Sequence, residues 1–367
     1  MQDSGSENNI GAVEQKRQIV KPEIYGASVA SEKHSGKNED AAFILGKRAV
    51  GIIDGMGGVA GGERAAQLAK NSLCQSLEQM NSSLSLPDSE NGVRQALVDA
   101  NRVVFQQGQA EKNIMGATGS VLYIWEGSKR ERYAIVGNVG DSRVYILRNN
   151  ILQQITLDDN AVRKNTANEQ EARELQWKLN NTIDPKKQLT PMEQILFGKR
   201  NEIVQRLGIS SIEPRINTIK LLALDKLLVC SDGISDNLTD IEIQEIMEKS
   251  KTDKDIVDKL ISESKKRSSS NHPRAKPDDM TAIVVSENLK KPATIEDIPL
   301  AKNSQQLIDI INEMGGVQGA DRYFASSDLT QIINNVLAGR APSDSITRTG
   351  GLRAKVLEII EANKTRK

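Results

Sequence analysis

Short apolar runs that end in a carboxylate recur along this chain. Val50-Gly51-Ile52-Ile53 delivers Asp54 to a glycine-rich segment, and Leu227-Leu228-Val229-Cys230 leads through Ser231 to Asp232-Gly233. A third run, residues 133–139, leads through Gly140 to Asp141. Runs this short, β-branched and bounded by glycine predict buried strands. Further strands are expected over residues 24–30, 41–45, 121–126, 143–147, 151–155, 215–221 and 281–285. The turn Gly46-Lys47-Arg48 folds the second strand back on the Asp54 strand, so antiparallel pairing brings Asp40 to the edge where Asp54 stands. Asn149-Asn150 predicts a two-residue hairpin, and the strands between 121 and 155 read as one continuous antiparallel meander.

Apolar positions at helical spacing predict a helix over about 63–80, on Ala66, Leu68, Ala69, Leu73 and Leu77. A second is expected over about 92–110, on Val93, Ala96, Leu97, Ala100 and Val104, after a loop at 84–91 that contains Pro87. Thr239-Asp240-Ile241-Glu242 is a capping box opening a helix, and another is expected over 253–266. Helices interleaved with strand pairs argue a layered fold. Residues 158–200 are polar and partly helical, and a connection that long is functional or mobile. Residues 1–20 are polar and read as disordered. A linker with two prolines is placed at 289–302, followed by a small helical C-terminal extension over 303–367, with Gly315 and Gly339 as helix stops.

Charge excludes some partners. Lysine plus arginine equals aspartate plus glutamate, 49 each in 367 residues, which points to neither nucleic acid nor membrane. There is no apolar run of about 18 residues and no signal-like h-region, so a cytoplasmic location is expected. Cys74 and Cys230 read as buried small hydrophobes rather than a disulfide. With only two histidines, a His-rich zinc or iron site cannot be built, and His272 beside Pro273 reads as a loop residue. Any metal is held by oxygen ligands, which favours Mg²⁺ or Mn²⁺.

The strand-edge acids are Asp40, Asp54, Asp141, Asp232 and Asp278, with Glu39, Asp236 and Asp279 beside them. Gathered at one edge, they repel unless cations neutralise them. Two hard cations about 3.5–4 Å apart acidify a water and clamp the oxygens of an in-line displacement. Phosphate esters are the matching substrates, because the cations offset phosphoryl charge.

The motif order resembles the metal-dependent serine/threonine protein phosphatases of type 2C, in their bacterial form. The resemblance rests on Asn38-Glu39-Asp40, Asp54-Gly55-Met56-Gly57-Gly58 with Gly62-Glu63, Gly116-Ala117-Thr118-Gly119-Ser120, Val139-Gly140-Asp141-Ser142-Arg143, Ser231-Asp232-Gly233-Ile234-Ser235-Asp236 and Asp278-Asp279-Met280-Thr281. It covers residues 24–287. It implies an α+β fold, a four-layer α-β-β-α sandwich of two antiparallel sheets flanked by helices, over residues 21–288. Residues 158–200 become a flap, and Arg200 to Gly208 the segment that follows it. The resemblance implies two ions, Mn²⁺ or Mg²⁺. Asp54 would bridge them, the Gly55 carbonyl would bind one, and Asp232 and Asp278 would hold the other. Glu39 and Asp40 would act through water, and Asp141 would hold a third, weaker ion shared with Asp232. Asp40, Asp54, Asp232 and Asp278 form the catalytic set, and a metal-bridging hydroxide attacks phosphorus directly. The implied substrates are phosphoserine and phosphothreonine proteins modified by a serine/threonine kinase.

Three positions depart from the family pattern. Ser35 stands where an arginine usually binds the substrate phosphate, leaving Lys33, His34 or Lys37 as substitutes without the bidentate fork. Met56 stands where many eukaryotic members have histidine, so water protonates the leaving oxygen. Asp279 replaces the usual asparagine and is expected to add charge near the ions. Two alternatives remain open: a pseudophosphatase or binding module on the same fold, and a two-metal phosphohydrolase of small metabolites. The C-terminal extension would bind a partner, regulate the enzyme or cap it for stability.

Overall fold

The computed structural model describes residues 23–287, except 33–36, 58–60 and 129–130. The expectations for residues 1–20 and 289–367, and those for Lys33, His34 and Ser35, lie outside the described residues.

Two antiparallel sheets make the centre. One runs in the order β1 (Glu23–Val29), β11 (Met280–Ser286), β10 (Lys226–Cys230), β7 (Arg143–Arg148), β8 (Ile151–Gln154). The other runs β2 (Asp40–Leu45), β3 (Ala49–Met56), β5 (Gly119–Glu126), β6 (Arg132–Val139), β9 (Arg215–Lys220), with the two-residue β4 (Gly116–Ala117) paired to the end of β3. Side chains alternate across each strand. From β3, Val50 and Ile52 point between the sheets, where they meet Leu227 and Val229 of β10 and Ile283 and Val285 of β11. Ala49 and Ile53 point the other way, under α1 (Gly61–Gln79) and α2 (Leu86–Glu111). Leu228, Cys230, Ala282 and Val284 likewise face outward, under α8 (Asp240–Lys249) and α9 (Asp253–Ser268). The strands are therefore apolar on both faces, which is why they read as unbroken hydrophobic runs. The layers are helix, sheet, sheet, helix, as expected.

Several expectations change. Strands β5 to β8 are not one meander: β5 and β6 lie in one sheet and β7 and β8 in the other. The chain crosses between them at Gly140, whose φ of +99° suits glycine. The Asn149-Asn150 turn is as predicted, with both residues at positive φ. Helix α2 starts at Leu86, not near Gly92. Ser85 caps it by accepting the Asp88 N–H, and Pro87 sits in the first turn, where a missing N–H costs nothing. Cys230 is buried but Cys74 only half so, and both are free thiols. Residues 158–200 carry four short helices, α3 (Ala161–Lys164), α4 (Glu169–Asn180), α5 (Pro185–Gln188) and α6 (Pro191–Gly198). They enclose a small apolar cluster of Val162, Leu179, Leu189, Leu196 and Phe197. Among the described residues no helix is long and apolar enough to cross a membrane.

The predicted capping box closes at the start of α8. The Glu242 carboxylate accepts the Thr239 N–H, and the Arg267 guanidinium of α9 donates to the same carboxylate. Partial burial opposes ionisation of Glu242, but Arg267 and the Thr239 amide outweigh it and hold its pKa below the usual 4.5. A depressed folded-state pKa gives stability that is present above 4.5 and lost as pH falls through the folded value. Glu242→Gln is expected to cost about 0.5–1 kcal/mol at pH 7, after screening. In thermal melts the gap from the parent protein should shrink at pH 3 to 4, and a gap that does not change with pH would contradict this.

Candidate metal centre

At one end of the sandwich, both sheets present carboxylates. Asp40 opens β2 and Asp54 lies near the end of β3, and the register places them directly opposite each other. From the other sheet, Asp278 stands two residues before β11. Asp232 follows β10 as the first residue of α7 (Asp232–Ser235), a short helical turn that strand periodicity did not foretell. Asp141 sits in the crossing between the sheets, just after Gly140. The acids read as strand-edge residues therefore meet where two sheets end side by side.

Buried hydroxyls and amides fix their backbones. The Asp54 N–H donates to Thr118 Oγ1 at 2.9 Å, the Thr118 N–H returns to the Asp54 carbonyl at 2.8 Å, and Thr118 Oγ1 meets Ser142 Oγ at 2.7 Å. Asp40 Oδ2 accepts from Thr281 Oγ1 at 2.6 Å and from Ser231 Oγ at 2.8 Å, so it bridges the two sheets. Two glycines are close-approach points. A Cβ on Gly55 would lie 2.2 Å from the Gly62 carbonyl oxygen, and one on Gly62 would lie 2.8 Å from Glu39 Cδ. Glu39 thus packs against the start of α1. Lys37 is exposed.

Asp279 adds charge beside the centre, as expected, and helps to raise the Asp40 pKa. Its carboxylate is buried and accepts the Ser31 and Glu39 backbone N–H groups, each at 2.6 Å. It ties the loop before β2 to the start of β11. Its charge is directed at amides rather than offered to ions. Asp279→Asn turns one acceptor into a donor facing an N–H, and is expected to cost about 2 kcal/mol. A thermal melt checks this: a drop of several degrees is expected, and no drop would contradict it.

Two basic residues that the motifs did not single out stand at the centre. Lys276 Nζ pairs with Asp232 Oδ2, with Asp236 Oδ2 at 3.1 Å and with Asp278 Oδ2 at 3.1 Å. Arg274 is fully buried and donates to four carbonyls, those of Asp236 and Ser235 at α7 and those of Leu179 and Thr182 in the 158–200 segment. Arg200 adds an ion pair to Asp236 at 3.2 Å. The long segment is thereby pinned to α7.

The acids press on one another. Burial, then Asp40, Asp232, Asp278 and Asp141, raise the Asp54 pKa well above normal. Burial and Asp232 do the same to Asp141. Burial brings Asp232 up to about 6, against the pull of Lys276. It brings Asp40 up to about 7, against its two hydroxyl donors. Asp236 is also buried, but Lys276, Arg200 and other cations hold it below the usual carboxylate range. Asp141 Oδ1 and Asp232 Oδ1 are buried without a hydrogen-bond partner. Orphaned carboxylate oxygens among mutually repelling acids suit hard divalent cations. The described donor set is oxygen only, which fits Mg²⁺ or Mn²⁺. Among the described residues no three acidic, histidine or cysteine side chains converge on one point as ligands. It is Lys276 Nζ on which Asp232, Asp236 and Asp278 converge.

Comparison with known proteins points the same way. A family model described as Protein phosphatase 2C matches residues 30–271. The serine/threonine protein phosphatase PstP of Mycobacterium tuberculosis is 30% identical over 218 residues, which are 58% of this chain and 36% of that protein. The chain thus spans about a third of that relative's length. The solved catalytic domain of PstP, in complex with two manganese ions, aligns over 72% of this chain and 97% of its own at 25% identity and a TM-score of 0.54. The serine/threonine phosphatase Stp1 of Staphylococcus aureus aligns over 72% and 94% at 26% identity and a TM-score of 0.57.

Proposed function

The chain belongs to the protein phosphatase 2C family, and from that premise we propose that it is a divalent-metal-dependent protein phosphatase acting on phosphoserine and phosphothreonine. The observation that carries this reading is the meeting of Asp40, Asp54, Asp141, Asp232 and Asp278 at one end of both sheets, with orphaned oxygens on Asp141 and Asp232. In this reading Asp54, the Gly55 carbonyl, Asp232 and Asp278 would hold two ions, Glu39 and Asp40 would act through ordered water, and Asp141 with Asp232 would hold a third, weaker one. Mn²⁺ is the favoured ion, because the PstP catalytic domain was solved with two.

When bound, the ions would supply Lewis-acid activation of a water and positive charge to offset the phosphoryl group. The chain's own residues prepare the rest. Thr118 and Ser142 hold the Asp54 backbone. Ser231 and Thr281 orient Asp40 by donating to its Oδ2. Asp279 sets the height of Glu39. The 158–200 segment, fastened through Arg274 and Arg200, walls one side of α7.

Substrate class is tested by comparing a phosphothreonine peptide with sugar phosphates at saturating Mn²⁺. Preference for the peptide supports the protein phosphatase reading. Preference for the sugar phosphates would move the assignment to a metabolite phosphohydrolase. No turnover on either, with Mn²⁺ bound, would leave a binding module on this fold.

A further inference from the structure

We infer that Lys276 is a built-in cation of the metal centre, competing with a divalent ion for Asp232 and Asp278 and so setting how much metal the site requires. The inference rests on the metal-centre reading above.

Lys276 is placed, not incidental. Its N–H donates to Asn237 Oδ1 at 3.0 Å, and its carbonyl accepts from Asn237 Nδ2 at 2.8 Å. Asn237 is buried and also grips the Gly233 carbonyl in α7 at 2.8 Å. One amide thus clamps the Lys276 backbone from both sides against the turn that carries Asp232, and Pro277 stiffens the next step. From this anchor the side chain, only 20% exposed, reaches three carboxylates of the centre.

The chemistry of the contact makes it a competitor. A hard divalent ion takes carboxylate oxygens at about 2.0–2.2 Å, whereas an ammonium donates to the same lone pairs from about 2.7–2.9 Å. One oxygen face cannot serve both fully, and two cations a few ångströms apart repel in a site screened from water. The competition is partial. Lys276 holds Asp232 by Oδ2, while Oδ1 of the same carboxylate is buried and unpartnered. An ion can therefore engage Asp232 through Oδ1, but it must draw Asp278 away from the ammonium. Lys276 Nζ brings one positive charge within ion-pair distance of Asp232, Asp236 and Asp278 together. It weakens metal binding rather than preventing it. In return it neutralises acids that would otherwise strain the fold.

The experiment is calorimetric titration of Mn²⁺ into the full chain and into Lys276→Met, Lys276→Gln and Lys276→Arg, with thermal melts in chelator and in Mn²⁺. The Met and Gln variants should bind Mn²⁺ at least about tenfold tighter than the parent, from removal of one cation. They should also melt lower in chelator and gain more from added Mn²⁺. Arginine keeps the charge and should keep the weak binding. A purely structural lysine would lower the melt without tightening metal binding, and that result overturns the inference. Unchanged or weaker Mn²⁺ binding in both neutral variants overturns it as well. If neither the parent nor any variant binds Mn²⁺, the metal-centre reading itself fails, and the inference with it.

Discussion

Asp54→Asn is expected to lower Mn²⁺-dependent turnover of a phosphothreonine peptide by about 10³-fold or more, roughly 4 kcal/mol of transition-state stabilisation. Asp54 is the acid on which the others press most widely, with Asp40, Asp232, Asp278 and Asp141 all raising its pKa. The same crowding predicts an opposite effect on the fold. A carboxylate whose folded-state pKa is raised costs stability once pH exceeds that of the unfolded chain, so its ionised form is a burden near neutrality. In chelator, Asp54→Asn should therefore melt at or above the parent, because β3 keeps its pairing and its Thr118 contacts. Turnover and melting temperature, measured side by side, check both halves. An active variant would remove Asp54 from the chemistry. A variant that is inactive because it unfolds would show that the carboxylate supports the fold.

Gly233→Ala should have the largest effect on stability. A Cβ at this position would lie 1.9 Å from the backbone oxygen of Asp279, with the Met280 side chain at 3.3 Å. No rotamer relieves a clash between a Cβ and a main-chain oxygen. Either α7 or the entry to β11 must move, and these two segments carry Asp232 and Asp278. The expected cost is about 4 kcal/mol or more, with loss of metal binding even where folding survives. Chemical denaturation with Mn²⁺ titration measures it. A variant within about 1 kcal/mol of the parent would show that the two segments yield more easily than this contact implies.

Much of the centre was legible before the structure. Strands buried on both faces leave unbroken apolar runs, and a carboxylate at the end of such a run is conspicuous. The three-residue turn at Gly46-Lys47-Arg48 sets the register, so the pairing of Asp40 with Asp54 followed from spacing alone. Sheet membership did not follow. Strands β6 and β7 have the same two-sided burial, and nothing in their pattern says that the chain changes sheets at Gly140. The start of α2 was obscured by Pro87, which reads as a breaker unless Ser85 is recognised as the cap.

Lys276 and Arg274 were missed for a different reason. In Pro273-Arg274-Ala275-Lys276-Pro277 they look like a solvated basic loop, the usual meaning of charges beside prolines. Only the docking of this loop against α7 buries them. A local signal did exist: two cations just before an acidic pair are well placed to compensate it. Asp279 does press on Asp40, as its place in the motif implies, but sequence does not reveal where a carboxylate points. Two backbone amides, from Ser31 and Glu39, account for it.

The central claim is that these carboxylates hold the ions that hydrolyse a phosphoprotein. The most direct measurement is turnover of a phosphothreonine peptide by the full chain, with Mn²⁺, after chelation and after Mn²⁺ is restored, beside Asp232→Asn. The account predicts turnover that needs Mn²⁺, stops on chelation, returns with the ion and is lost in the variant. Turnover that persists in chelator, or that Asp232→Asn leaves intact, would contradict it.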